Sequence, residues 1–305
     1  MKTAQIALAM AAVCAPLHVF AEDRVQPANM EGDAAARDKH YGSYEAPAID
    51  TIEIKGKRPL HEEDLIGSYK QPRWTAERRF PTTRVYVIPE GKFAVEYWLR
   101  ATTDLGEFSK ASAKEYRSIY ELEWGLGHRL QLDLYLVTEQ GGHGAIEIHK
   151  EQVELRYALA DYGEIWGNPT LYLEYSRVGG ESSAVEAKLL LGGELTQGLH
   201  GAVNLVFEPQ ISEPREHEYK IAAGIAKTIV DSKFSFGGEL ELEAHDAKDA
   251  RFDFTETQVL VGPSVQWKPS PAINILVTPQ FGLTMPKDED SIAVYRQWLV
   301  FGWEY

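Results

Sequence analysis

Carboxylates recur at every second position in several stretches of this chain, where they could pair with basic residues or attract cations. Glu121 and Glu123 form one such pair, while Glu239, Glu241 and Glu243 form a triplet. In an extended strand, residues two apart point to the same side, so each set places its carboxylates on one face. So many carboxylates cannot all stay ionised in a confined space without counter-charges or water. The face therefore predicts either a polar core of ion pairs or a wet passage that prefers cations.

Basic residues are fewer on this predicted face, and in the first case they pair with the carboxylates and fill the interior. The candidate residues share one property, an inward-facing position in the predicted strand register. They are Glu96, Arg100, Glu121, Glu123, Asp133, Glu154, Arg156, Glu174, Glu186, Lys188, Glu239, Glu241, Glu243 and Arg296.

The elements that must position these residues are strands. From about residue 92 onward, apolar and polar side chains alternate in twelve segments separated by turn signals. In the clearest segment, Leu130, Leu132 and Leu134 alternate with Gln131 and Asp133. An amphipathic sheet in a membrane has to close, because an open edge leaves N–H and C=O groups unpaired in hydrocarbon. We therefore predict an all-β fold, a membrane-spanning antiparallel up-and-down β-barrel of about twelve strands, with a mostly irregular N-terminal segment.

The connections between these segments support the same fold. Short turns, such as 127–128 and 196–198, alternate with longer polar loops, such as 104–114. If the C-terminus is periplasmic, every short turn falls on the periplasmic side, which is the usual asymmetry of outer-membrane barrels. The connection at 160–169 is long for that side.

Two kinds of residue bear on the predicted register. Trp124, Trp267 and Trp303 fall at predicted periplasmic strand ends, where aromatic girdles meet the membrane interface. Pro263 and Pro279 lie inside neighbouring predicted strands, and each lacks the N–H that a ladder needs. We expect a bulge at these two prolines.

The two ends of the chain predict its destination, the outer membrane of a Gram-negative bacterium. Residues 1–21 combine a basic start, an apolar core and a small-x-small cleavage pattern, which indicates a signal peptide. Residues 298–305 alternate apolar and mixed side chains, end on an aromatic residue, and resemble the C-terminal β-signal that the barrel-assembly machinery reads. We expect a periplasmic N-terminal segment at 22–90 and the barrel at 91–305, with membrane lipid and the assembly machinery as partners.

Composition and motifs argue against other classes. The chain has 31 basic and 46 acidic residues, so it is a poor nucleic-acid binder. Its one cysteine, Cys14, lies in the predicted signal peptide, which leaves the mature chain without disulfides. In 216–218 an extended backbone points His217 away from both flanking glutamates. We expect no metal site, no other cofactor and no catalytic site; no catalytic motif is present, although an outer-membrane hydrolase stays open.

Residues 22–90 contain two features of their own. The strand-like stretch 51–58 loosely resembles the TonB box of energised receptors and could bind a periplasmic partner, but a periplasmic strand or linker is more common. The second feature is a basic and aromatic cluster. It consists of Arg73, Trp74, Arg78, Arg79, Phe80 and Arg84. The cluster predicts a plug-like tether, a partner contact or a solvated linker, and the linker is the most common outcome.

The barrel portion also resembles a known family. The stretches VGPSVQW at 261–267 and VTPQFGL at 277–283, with the aromatic tail, are similar to uncharacterised proteobacterial barrels grouped with the MetA-pathway-of-phenol-degradation transporters. The resemblance implies uptake of small, hydrophobic compounds. Two functions therefore stay open. One is a narrow channel or transporter for small solutes, cation-preferring or taking hydrophobic compounds. The other is a closed structural or accessory barrel that anchors loops or a periplasmic partner.

Overall fold

The structure is a computed structural model that describes residues 59–110, 114–142, 144–178, 183–211, 216–247 and 250–304. Pro59–Tyr305 form one compact unit. The predicted signal peptide at 1–21, the strand-like stretch at 51–58 and the terminal Tyr305 lie outside the described residues. Among the residues that are described, no helix has the length and apolar character needed to cross a membrane.

The strands of the described residues account for most of the unit. They are β1 Leu65–Ile66, β2 Gln71–Pro72, β3 Phe93–Asp104, β4 Lys114–Gly127, β5 Leu130–Gly141, β6 Glu147–Ala158, β7 Thr170–Val178, β8 Ala184–Thr196, β9 Leu199–Pro209, β10 Glu216–Val230, β11 Phe234–Ala247, β12 Phe254–Ser270, β13 Ile273–Pro286 and β14 Ile292–Glu304. The twelve strands β3 to β14 form a closed barrel in which each strand pairs with its sequence neighbours. All pairs are antiparallel, and β14 closes the ring against β3, where Leu299 lies opposite Leu99. The predicted fold class is confirmed.

The side chains alternate between the two faces of this wall. In β5, Gln131 and Asp133 are buried inside the barrel, whereas Leu134 faces outward and is 46% exposed. Leu173 and Phe281 are exposed in the same way on other strands. Such an apolar exterior is favourable against lipid and costly in water. The barrel is therefore an outer-membrane barrel, as the sequence predicts.

The two ends of the barrel differ. The connections at 128–129, 197–198, 231–233 and 271–272 lie at one end, together with the longer connection at 159–169. We call this end the turn end and the opposite end the loop end. Exposed tryptophans gather at the turn end: Trp124, Trp166, Trp267 and Trp303. Short turns and an aromatic girdle make the turn end the one expected to face the periplasm.

The bulge expected at Pro263 and Pro279 does not form, and this prediction is wrong. Val261 pairs with Phe281 and Val265 pairs with Val277, so the register of β12 and β13 is the same on both sides. The ladder loses pairs between these points because proline has no N–H, but the strands stay close. Gly262 allows this approach, since a Cβ there would collide with the carbonyl oxygen of Pro279. The register shift of this strand pair occurs instead between Trp267 and Ser270.

Residues 59–92 precede the first barrel strand, and we call them the inner segment. Their two ends are mostly exposed, whereas residues 71–89 lie inside the barrel. They contain β1, β2 and a single 3-10 turn at Arg73–Ala76. Trp74 and Phe80 are each 1% exposed, and Val87 is fully buried. A solvated linker, the most common outcome for the arginine cluster, is therefore contradicted, and the plug-like alternative is correct.

The inner segment joins the wall where the chain enters β3. The backbone N–H of Gly91 donates to the carbonyl oxygen of Gly125 in β4 over 2.9 Å. A Cβ on Gly125 would collide with the carbonyl of Pro89, so this glycine lets the segment lie directly against the wall. The strands thus begin at Phe93, whereas the compact unit begins at Pro59.

Candidate functional site

The inner segment fills the half of the lumen nearest the turn end and leaves the other half open. Its contacts reach turn-end groups such as Asp231 and Glu164. Toward the loop end lies a cavity of about 280 Å³, which we call the vestibule. Arg78, Thr82 and Arg84 of the inner segment belong to its lining and form its floor. The lumen therefore consists of a filled half and an open half.

Arg78 is the centre of the filled half. Its Nε donates to Oε2 of Glu96 over 2.5 Å, and its Nη2 donates to Glu121 at 3.0 Å and Glu123 at 3.1 Å. Its guanidinium carbon lies 3.9 Å from the ring centroid of Trp98, which is a cation–π distance. Arg78 and the three carboxylates are almost completely buried. Because a buried carboxylate is costly unless a cation pairs with it, Arg78 and the wall stabilise each other.

Arg84 contacts the same carboxylates. Its Nη2 donates to Oε1 of Glu121 over 3.2 Å and forms a shorter contact with Glu123, while Glu96 lies 3.7 Å away. We call Glu96, Glu121 and Glu123 the acidic trio. Two arginines of the inner segment thus neutralise most of the charge that β3 and β4 present to the lumen.

A second anchor lies across the lumen on β11. Oε1 of Glu239 accepts hydrogen bonds from the N–H and the hydroxyl of Thr82, at 3.0 and 2.6 Å. The same oxygen accepts from the N–H and the hydroxyl of Thr83, both at 2.8 Å. Hydrogen bonds to a carboxylate are stronger than neutral ones, so this residue fixes the tip of the inner segment. The segment is therefore held at two opposite walls.

Arg79 points in the other direction, toward the turn end. Its Nη2 donates to Glu62 over 2.9 Å, and its Nη1 donates to the hydroxyl of Thr228 at 3.0 Å and to Nδ1 of His200 at 2.7 Å. Since Nδ1 accepts, the imidazole carries its proton on Nε2 in this arrangement. These contacts fasten the beginning of the inner segment to β9 and β10.

Asp231 holds the first described residues of the segment from the 231–233 turn. Its carboxylate accepts the backbone N–H of Glu62 at 2.7 Å and contacts Nδ1 of His61 at 2.6 Å. Partial burial alone would raise the pKa of Asp231, but hydrogen bonds from His61, Glu62 and Ser232 outweigh it and hold the pKa below its ordinary value. Asp231 is therefore ionised when it binds His61 and the backbone N–H of Glu62.

Small residues on β8 and β10 make room for the apolar side chains of the segment. A Cβ on Gly224 would lie 2.7 Å from the ring of Phe80, and a Cβ on Gly192 would lie 2.8 Å from Cγ1 of Val85. The inward-facing Ala222 and Ala226 flank Gly224 on β10 and are buried. This wall is shaped to fit the inner segment rather than to bound an open pore.

The vestibule has a different electrostatic character from the filled half. Its lining contains nine basic and seven acidic side chains, so the acid excess predicted for the lumen is not found there. Most of the charges are paired: Lys188 lies 2.6 Å from Glu186, and Lys220 lies 2.6 Å from Glu218 and 3.0 Å from Glu243. The acidic excess lies lower, where the inner segment contacts it.

All fourteen residues of the predicted polar face point into the barrel, but they divide into two groups. Glu96, Glu121, Glu123 and Glu239 contact the inner segment. The vestibule lining includes Arg100, Glu154, Arg156, Glu174, Glu186, Lys188, Glu241, Glu243 and Arg296. Asp133 lies behind that lining and pairs with Arg156 at 2.9 Å. Whether any of these residues lines a conducting pore stays a prediction.

Three sets of described side chains have the spacing of metal ligands, and a cation of the protein contacts each set. One set is the acidic trio, which Arg78 and Arg84 contact. The others are Glu62, Glu63 and His200, next to Arg79, and Glu218, Glu243 and His245, next to Lys220. His217 faces away from Glu218, as the extended backbone predicts, and bonds Asp246 over 2.7 Å. Each set is therefore better described as half of an ion-pair network.

Sequence reasoning identified the arginine cluster but did not predict its partners. The signals that could have found them were the surplus of inward carboxylates on β3 and β4 and the small inward residues around Gly224 on β10. His200 and Lys268 were also missed; Lys268 bonds Glu77 of the inner segment over 2.9 Å. Neither residue belongs to a motif, since each contacts the inner segment through a partner more than a hundred residues away in the sequence.

No protein-family model matches the chain, and no curated protein matches it. Solved structures do match. The NanC porin has a TM-score of 0.50 at 13% identity, covering 68% of this chain and 98% of that one. The chain has the fold of an outer-membrane porin.

Two further structures are similar at lower scores. An outer-membrane channel from Pseudomonas putida F1 has a TM-score of 0.49 at 12% identity, covering 74% of this chain and 100% of that one. The KdgM porin has a TM-score of 0.43 at 11% identity, covering 69% and 98%. The likeness to the NanC porin, at 13% identity, shows the fold and nothing finer.

Proposed function

We propose that this protein is an outer-membrane channel for small solutes that the inner segment closes at the turn end. The observation that supports it is the division of one lumen into a vestibule of about 280 Å³ and a filled half. A barrel of twelve strands is wide enough to leave a narrow passage unless something fills it. Here the filling is a single chain segment rather than the wall side chains alone, so its displacement would open a path.

The charge preference of such a channel depends on the inner segment. With the segment in place, its arginines neutralise the acidic trio, and the vestibule lining is slightly basic. Without it, the trio and Glu239 would face open water and attract cations. We therefore assign the cation preference to the barrel without its segment. Uptake of small hydrophobic compounds, which the family resemblance implies, is a separate proposal.

A closed structural barrel is the second candidate, and a specific observation favours it. Arg78 and Thr82 link opposite walls of the lumen through buried, charge-assisted contacts, which is what a permanently filled barrel would contain. In that case the barrel anchors its loops, or a periplasmic partner through 51–58.

Planar-bilayer recording of the full-length protein discriminates the two candidates. The channel proposal predicts discrete current steps that are brief, because the inner segment has to move before ions pass. Persistent silence at several voltages, from protein whose folding is verified by its heat-dependent gel mobility, would overturn the channel proposal in favour of the structural barrel.

A further inference from the structure

We infer that the vestibule contains a binding site for the anionic group of a small amphipathic solute, formed by Arg100, Arg117 and Arg296. The inference rests on the proposed function and names the class of solute. The three arginines lie on adjacent strands β3, β4 and β14, and all of them line the same cavity. Arg100 is the direct cross-strand partner of Arg117, and Arg296 is two residues from Trp298, the partner of Arg100.

Arg100 shares its carboxylate partner with a second arginine. Oε1 of Glu115 contacts both Nη2 of Arg100, at 2.6 Å, and Nε of Arg117, at 2.9 Å. Arg117 also contacts Glu139 at 2.6 Å, and Arg296 contacts Glu241 at 2.5 Å. Like charges directly opposite each other across a strand pair are destabilising. Among the described residues, Arg100 therefore has only the carboxylate that it shares with Arg117, which contacts Glu139 as well.

Unpartnered donors point to the same conclusion. Among the described residues, Nε of Arg100 and Nε of Arg296 are buried and have no hydrogen-bond partner. A guanidinium N–H that is buried without an acceptor is costly, and a planar carboxylate is the acceptor that matches its geometry best. Arg100 and Arg296 both line the vestibule, so a carboxylate bound there would lie next to the two guanidinium groups that carry these donors.

The neighbouring side chains define the rest of the solute. Trp98 and Trp298 line the vestibule, and their rings meet edge to face with centroids 5.8 Å apart. Ile119 packs against this pair, and Leu190 and Val206 line the cavity as well. Arg100 lies over Trp298 at 5.7 Å, so the charged and the flat apolar surfaces adjoin. The site fits a small molecule that combines an anionic group with a flat apolar part.

The inner segment is what makes an anion acceptable in this barrel. Arg78 and Arg84 stand at the floor of the vestibule and neutralise the acidic trio beneath it. An anion in the vestibule therefore meets two guanidinium groups at the floor instead of three free carboxylates. The segment that closes the passage also sets the charge of the solute that reaches it.

Binding of benzoate and benzylamine to the full-length protein in detergent tests the inference, because the two probes share a ring and differ in charge. Equilibrium dialysis should show benzoate binding and no comparable benzylamine binding. Arg296→Gln should weaken benzoate binding about tenfold, the loss expected for one charge-assisted hydrogen bond. Arg177→Gln, on the exposed outer face of β7, is the matched control and should leave binding unchanged.

A second variant keeps the test decisive if Arg296→Gln folds poorly. Glu115→Gln removes the carboxylate that Arg100 and Arg117 share, so it should strengthen benzoate binding. Equal binding of the two probes, or benzoate binding that none of these substitutions changes, would overturn the anion site. Benzoate binding without any conductance would leave the site intact and overturn only the channel proposal.

Discussion

Deletion of residues 59–84 should convert the barrel from a rarely conducting to a steadily conducting state in planar bilayers. The deletion removes most of the inner segment, including Arg78, Arg84 and the Thr82–Thr83 pair that hold it against the wall. The small inward residue Gly224 would then border open space instead of Phe80. A twelve-stranded barrel without its filling is wide enough for water and ions.

The same deletion should make the current cation-selective. The acidic trio and Glu239 would lose their partners and line a wet passage, which attracts cations. The reversal potential in a salt gradient measures this preference directly. As a control, Glu121→Gln with Glu123→Gln in the deleted barrel should reduce the preference. A folded deletion variant that stays silent would show that the wall side chains alone close the lumen.

Replacement of Arg78 by leucine should weaken the binding of the inner segment inside the barrel. Arg78 contributes the cation that three buried carboxylates share. Removal of one partner from a buried ion pair typically costs about 3–5 kcal/mol, because the other charges stay buried and unpaired. If this free energy is lost from the binding of the inner segment inside the barrel, the segment should leave the lumen at least about a hundred times more often.

Limited proteolysis measures that opening, because residues 74–83 are mostly buried and cleavage among them requires the segment to leave the lumen. Arg78→Leu should be cleaved much faster there while the barrel strands stay intact. Adding Glu96→Gln and Glu121→Gln should restore protection, since the unpaired charges are then absent. Arg177→Leu, on the outer face, should behave like the natural protein. A segment that is equally protected without Arg78 would show that apolar packing around Phe80 holds it.

The barrel could be predicted from the sequence because the residues within each strand determine that strand. Each strand repeats a two-residue alternation, as Gln131 and Asp133 do between leucines, and this pattern does not depend on distant contacts. Closure of the ring then follows from the need to pair every backbone N–H in lipid. The predicted bulge at Pro263 is wrong because Gly262, next to this proline, lets β12 and β13 stay close together although the proline lacks an N–H.

The inner segment could not be predicted in the same way because its cause is not local. It has almost no periodicity, and its position depends on side-chain pairs between distant parts of the chain. Arg78 and Glu121 are 43 residues apart, and Thr83 and Glu239 are 156 residues apart. An excess of carboxylates on the barrel strands and of arginines on the inner segment indicates that the two could pair. It does not specify which arginine contacts which carboxylate. The same applies to the vestibule, whose slightly basic lining results from which carboxylates the segment occupies.

The proposal that the inner segment closes a channel can be tested by measuring the conductance of a barrel whose inner segment is fixed by a reversible disulfide. Val85→Cys with Gly192→Cys provides the pair, because a Cβ at Gly192 lies within 2.8 Å of the Val85 side chain. The only natural cysteine, Cys14, lies in the predicted signal peptide, so no other thiol should interfere. We expect no current through the oxidised protein and discrete current steps after the disulfide is reduced. Equal steps in both states, or silence in both, would contradict the proposal.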